Sequence, residues 1–367
     1  MSDEELGAWL RLTLTPGVGN VTARKLLAAL GSAPGVFKAN PGAREALVGE
    51  KIARALAEPP DVWAAALEQT LRWLQSDPRH HVLTLGDAHY PTALLETADP
   101  PLMLYGVGQL EALNHPHKLA VVGSRNPTPQ GAENARQFAQ SLAERGLCIV
   151  SGLALGVDGA AHEGALAAGG TTIAVVGTGA DRVYPRRHLT LAHRIAEQGL
   201  LLSEYPLGTA PLAPNFPKRN RIIAGLSQGT LVVEAAMQSG SLITAQLAVE
   251  MGRDVFAIPG SIHAPQARGC HALIRQGAKL VESAQDILED LHLATPAATP
   301  VTASATLAED CEDPLLQALG HDPVGLDALQ ARTGLSTPDL QTQLLTLELD
   351  GNVRRLPGGL FQRLVIA

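Results

Sequence analysis

From residue 119 onward, short unbroken apolar runs alternate with longer amphipathic stretches. Residues 119–122 (LAVV), 147–150 (LCIV), 171–176 (TTIAVV), 200–203 (LLLS), 230–233 (TLVV), 255–258 (VFAI) and 279–281 (KLV) read as strands. Residues 131–144, 158–168, 188–198, 217–226, 241–251, 270–276 and 284–291 read as the helices that separate or follow them. Runs that are apolar throughout, without polar alternation, mark strands buried on both faces, as in a parallel sheet flanked by helices. The pattern predicts an α/β fold, a Rossmann-like doubly wound and mostly parallel sheet. Residues 82–85 and 102–105 read as two further short strands joined to it.

The flanks differ. Residues 1–77 read as a helical domain. Within it LTPGVG (14–19) followed by ARKLL (23–27) looks like a SAM or helix-hairpin-helix element, whose glycine N–H groups can meet a phosphate; a plain helix–turn–helix packing unit accounts for the same residues equally well. Asp77 and Pro78 mark the boundary to a core at 78–290. Residues 291–310, rich in Ala, Thr and Pro, read as a flexible linker. In 311–367, helices at 314–319, 326–333 and 337–349 precede a hairpin of 353–356 and 360–364 around Pro357, Gly358 and Gly359, the layout of a winged helix.

Composition adds bounds. The chain has 367 residues, 46% of them hydrophobic, enough for two or three domains with ample core. Cys148, Cys270 and Cys311 lack metal or redox spacing and are expected as free thiols in a reducing cytoplasm. The acidic start is unlike a signal peptide, and no apolar run is long enough for a membrane span. The net charge of −8 is unevenly spread: residues 1–77, 78–115, 291–310 and 311–367 are each net acidic, and 116–290 alone is not. A local basic cleft holds a polyanion despite an acidic total, because field focusing is local.

The basic residues of that segment concentrate at one place. Asn215 reads as an N-cap and Pro217 as a first helical residue. Lys218, Arg219 and Arg221 follow, with no carboxylate between Tyr205 and Val233. A helix start already carries about +0.5 charge. Crowding cations there costs roughly 0.3–1 kcal/mol each unless an anion is bound. Solvation or pairing with distant carboxylates is the bland alternative. Ligands of open α/β sheets bind beyond the strands' carboxyl ends. Small residues fill most of those ends here, including Gly123 and Ser124, with Arg125 beside them. Arg125, Lys218, Arg219 and Arg221 are expected to form four cations on one rim. A second basic stretch, 182–194, contains Arg182, Arg186, Arg187 and Arg194 and no acid.

No nucleotide motif is complete. Gly177 and Gly179 lack a third glycine, and there is no GxxxxGK[ST] loop. Asp158 and His162, spaced i, i+4, are either an acid/base pair or a helix cap with a core histidine. Glu204 and Glu234 sit at strand tips, where they either serve a hydrolase or orient Arg125 or Arg221.

VVGSRNPTPQG, SGLALGVDGAAHEGAL, NFPKRNRIIAGLSQGTLVVEAA and SGSLITAQLAVEMGRDVFAIPG resemble the DNA-processing protein A (DprA, or Smf) family over about residues 80–290, and both flanks fit it. The resemblance implies a cytoplasmic homodimer that is not an enzyme. It implies a protein that binds and protects incoming single-stranded DNA and loads RecA in natural transformation, without cofactor, metal or membrane. Carried over by position, the DNA-binding residues are Gly123, Ser124, Arg125, Phe216, Lys218, Arg219, Asn220 and Arg221. Lys218 and Arg219 are expected on phosphates; Phe216 is expected either against a base or in the core. The fold also resembles the lysine-decarboxylase-like nucleotide hydrolases, marked by a PGGxGTxxE loop. The corresponding LSQGTLVVE (226–234) lacks the PGG and displaces the glutamate, which argues against a hydrolase. In the winged helix, helix 337–349 carries Asp339 and Glu348 but no Lys or Arg, and Arg354 and Arg355 lie only in the wing. This module is expected to bind a protein, or its own chain, and not duplex DNA.

Overall fold

In the computed structural model, which describes residues 1–293, 313–320 and 323–364, the apolar runs become one nine-stranded sheet. In chain order its strands are His80–Thr84 (β1), Met103–Gly108 (β2), Lys118–Val122 (β3), Cys148–Ser151 (β4), Thr172–Val176 (β5), Leu200–Ser203 (β6), Gly229–Val232 (β7), Asp254–Ala257 (β8) and Lys279–Leu280 (β9). Their spatial order is β1-β2-β6-β5-β4-β3-β7-β8-β9. From β6 to β9 every neighbouring pair is parallel, whereas β1 with β2 and β2 with β6 are antiparallel. Strands β3 to β7 are buried along their whole length, which is why their sequences show no alternation.

Helices cover both faces. On one, Ile222, Ile223, Ala245 and Ala248 pack on Val122, Val150 and Val232. On the other, helices Pro129–Glu144 and Val157–Ala167 meet through Ala135, Ala139, Ala161 and Ala165 over Leu119, Ile149 and Leu231. These alanines allow a close helix pair; at Gly164 even a Cβ would lie 2.1 Å from the Arg136 carbonyl oxygen. Residues 3–76 contribute six helices. Their core, with Leu6, Leu10, Leu26 and Val36, continues into Val82, Met103 and Tyr105 of β1 and β2. The apolar packing therefore runs across Asp77 and Pro78.

The C-terminal residues form helices Pro314–Leu319, Leu326–Thr333 and Thr337–Leu349 and strands Val324–Gly325 (β10), Val353–Leu356 (β11) and Leu360–Arg363 (β12), ordered β10-β12-β11. This is a winged helix around Leu315, Leu329, Leu340, Leu344, Val353 and Phe361. Most of the expected linker at 291–310, and Cys311, lie outside the described residues. Among the described residues no helix is long and apolar enough to cross a membrane.

Candidate nucleic-acid interface

The chain proceeds from β3 through β4 and β5 to β6 on one side, then returns to place β7 on the other side of β3. The carboxyl ends of β3 and β7 therefore flank the switch point where such sheets leave a crevice. A cleft of about 510 Å³ opens there, lined by Gly123, Ser124, Arg125, Phe216, Arg219 and Asn220 among others. Six of the eight residues predicted from sequence thus share one cleft.

The loop after β3 is pinned from several sides. Ser124 N donates to the Glu234 carbonyl at 2.7 Å, and Val157 N donates to the Ser124 carbonyl at 3.1 Å. Thr128 donates through both its N–H and its hydroxyl to the Glu234 carboxylate, and its hydroxyl oxygen caps Gly131 N. A Cβ at Gly123 would stand 2.7 Å from Val157 Cγ2, so this glycine serves loop packing. Arg125 follows it with an exposed side chain on a fixed backbone.

The basic helix spans Asn215–Leu226, with Pro214 at the N-cap position and no side-chain cap. This corrects two expectations. Asn215 is the first helical residue, and its Nδ2 donates to the Gly177 carbonyl at 3.1 Å in place of capping the helix. Pro217 lies two residues further in. The predicted four-cation rim is corrected as well, because the cations have three different environments. Arg125 and Lys218 are exposed. Arg219 is only 4% exposed; its Nη2 donates to the Gly152 carbonyl at 2.9 Å, and its Nε has no protein partner. A Cβ at residue 152 would lie 1.7 Å from Arg219 Nη1, so a side chain there would displace the guanidinium. Arg221 pairs with Glu204, and its Nε lies 3.5 Å from Asp99. Lys218 borders a neighbouring hollow of about 280 Å³, which also receives Asn20, Asp99 and Glu204.

The helix that follows the expected hairpin turn packs at this junction. Asn20 Nδ2 donates to Asp99 at 3.2 Å and to Glu204 at 3.3 Å, so its helix start faces carboxylates. Phe216 is half-buried. Its ring packs over Gly177, with the Arg125 guanidinium 5.7 Å and the Tyr184 ring 5.6 Å from its centroid.

The acid/base candidates are engaged elsewhere. Glu234 pairs with neither arginine; burial pushes its carboxyl up while Thr128 pulls it down. Glu204 is committed to Arg221 and Asn20. Asp158 does not cap its own helix. Its carboxylate accepts from Gly152 N and Ala154 N, each at 3.2 Å. Burial raises its pKa, opposed by the charge of Arg219 and by those two N–H groups. Burial also lowers Arg219, with Asp158 opposing. His162 is a core histidine with Nδ1 2.7 Å from Thr172 Oγ1; burial first, then His188 and Arg219, hold it down to about 3. Cys148 and Cys270 are buried thiols, pushed by burial up to about 12 and about 11. No three His, Cys, Asp or Glu side chains group to hold a metal among the described residues.

Beyond the strand tip at Ala236, sequence reasoning missed the cleft's far wall, Gln238 and residues 239–241 with Thr244. There Ser239 caps helix Gly240–Glu250, and Asn220 Nδ2 donates to the Gly240 carbonyl at 3.3 Å. The available signal was the SGS triplet opening a helix whose first turn has no acid.

Comparison with known proteins adds the following. Residues 81–292 match the family described as DNA recombination-mediator protein A, and residues 295–359 match the DprA winged helix domain. The chain is 46% identical over 301 residues to protein Smf of Escherichia coli K12, covering 80% of each chain. It resembles the X-ray structure of DNA processing protein A from Streptococcus pneumoniae at a TM-score of 0.67 and 40% identity, covering 79% of this chain and 98% of that one. DNA processing protein A from Helicobacter pylori, studied for its single-stranded DNA binding mode, matches at a TM-score of 0.52 and 34% identity, over 58% of this chain and 96% of the other.

Proposed function

Because the chain belongs to the DNA recombination-mediator protein A family, we propose that it binds and protects single-stranded DNA and delivers it to a RecA recombinase in natural transformation. The observation that carries this reading is the cleft at the β3/β7 switch point. It combines an exposed Arg125 on a pinned loop, a buried Arg219 whose Nε has no partner, and the acid-free start of a helix. An exposed guanidinium on a pinned loop, beside a helix start that has no side-chain cap, is complementary to a phosphate. In this reading Gly123, Ser124, Arg125, Phe216, Arg219 and Asn220 form the DNA site, with Lys218 on its border. Arg221 holds Glu204 and Asp99 and contacts no DNA. The Helicobacter relative's single-strand binding supports the choice of polymer.

In this reading the protein is a binder and not an enzyme; the ion pair of Glu204 with Arg221 and the bonds of Glu234 to Thr128 support it. It works in the cytoplasm as a homodimer. An apolar groove near the β9 edge, with Met237 (56% exposed), Ile262 (73%) and Leu280 (45%), supports a second copy docking there. The winged helix contacts a protein: exposed Leu345 and Leu349 share one face of helix Thr337–Leu349, which has no cation. The test is a salt titration of binding to a single strand and a matched duplex, with wild type and an Arg125→Ala/Lys218→Ala variant. Preference for the single strand is expected, with a log–log salt slope that shrinks by about 1.4 in the variant. Equal binding to both forms, unaltered by the substitutions, would refute the reading.

A further inference from the structure

Charge alone does not separate single from double strands, because both present phosphates. A stacking surface does, because a duplex hides its base faces. Phe216 supplies only part of that surface: it is half-buried, its ring lies on Gly177, where a Cβ would sit 3.0 Å from Cδ1, and Arg125 and Tyr184 flank it. Tyr184 is the outer member of this row. It is 49% exposed, at 44° to Phe216, with ring surface facing water at the cleft's edge.

The chain around Tyr184 is suited to a nucleic-acid backbone. Arg186 and Arg187 follow in a short 3₁₀ turn, and both are exposed. Neither they nor the nearby Arg182 and Arg194 take part in any of the ion pairs of the described residues. The turn is anchored to the β4 tip by His188, whose Nδ1 lies 3.0 Å from the Leu153 carbonyl. His188 also fills the space over Gly159, where a Cβ would stand 2.6 Å from its Cε1. An exposed aromatic ring, two unpaired guanidiniums and a fixed turn thus lie next to the cleft.

We propose that Tyr184 stacks on a base of the strand as it leaves the cleft, and that Arg186 and Arg187 hold the flanking phosphates. Tyr184 is then the residue that favours single over double strands. The proposal rests on the single-strand reading above and extends its site by a second station.

The experiment uses the full-length protein, a fluorescent oligothymidylate and a matched duplex, with Tyr184→Ala, Tyr184→Phe, Arg186→Gln/Arg187→Gln and Arg125→Ala variants. Tyr184→Ala should weaken single-strand binding by about 5- to 150-fold and leave duplex binding unchanged. Tyr184→Phe keeps the ring and should stay within about twofold of wild type. The double arginine variant should shrink the single-strand salt slope by about 1.4. If Arg125→Ala weakens binding and Tyr184→Ala does not, the stacking station is refuted while the cleft stands. If wild type binds both forms alike, the single-strand reading falls and the station with it.

Discussion

Replacing Arg219 with methionine removes a guanidinium from a site only 4% exposed and keeps most of the side chain's length. The 2.9 Å hydrogen bond to the Gly152 carbonyl is lost, and a bond from a charged donor contributes about 1.5–3 kcal/mol. Asp158 loses a buried counter-charge but keeps its N–H donors from Gly152 and Ala154. The two N–H bonds it keeps hold the further loss to about 1 kcal/mol. Together these give about 2–4 kcal/mol, a large part of the 5–15 kcal/mol typical of a folded domain. Thermal melting should fall by roughly 4–16 °C. Lys218→Ala, one residue away but exposed, should stay within about 0.5 kcal/mol of wild type. An Asp158→Asn/Arg219→Met double variant should be more stable than the sum of the single losses by at least about 1 kcal/mol, since the two groups share one buried site. Arg219→Met melting with wild type, together with additive singles, would refute the buried tie and make Arg219 an ordinary surface cation.

Other expectations follow from the same geometry. Lys218→Ala should lower the single-strand salt slope by about 0.7 without moving the melting temperature. Glu204→Ala leaves both a largely buried Arg221 and Asn20 with Asp99 alone; urea denaturation should show a loss of about 2–4 kcal/mol. His162 is held at about 3 in the fold, whereas an unfolded histidine titrates near 6.5. Between those values only the unfolded chain takes up the proton, so stability falls as pH drops below about 6.5, by up to about 1.4 kcal/mol per unit. His162→Gln should flatten that pH slope by about one proton. Isolated residues 311–367 should show no salt-sensitive duplex binding, and micromolar affinity at physiological salt would contradict the protein-contact role of the winged helix.

The sheet was legible because its central strands are buried on both faces and must be apolar throughout, as Leu119, Ala120, Val121 and Val122 are. Strand β10, two residues long, leaves no such trace. Helix starts were less legible, because caps depend on which side chain turns inward: Thr128 caps its helix, whereas Asn215 bonds across to Gly177. At the site, residue chemistry could be read but environment could not. The cations of the basic helix were plain, yet their partners come from distant segments, Gly152 for Arg219 and Glu204 with Asp99 for Arg221. A stretch free of acid in sequence is therefore not free of acid in space. The fold sorts four apparent phosphate contacts into two exposed cations, Arg125 and Lys218, one buried guanidinium and one structural ion pair. For the cleft and its border, the exposed pair contributes about 1.4 to the salt slope and a phosphate on Arg219 would add about 0.7, where four equivalent contacts would give about 2.8. A weaker electrostatic grip places more of the affinity on contacts that salt does not screen. The backbone N–H groups of the glycine-rich tips are such contacts, and so is the ring of Tyr184, half-exposed beside the cleft.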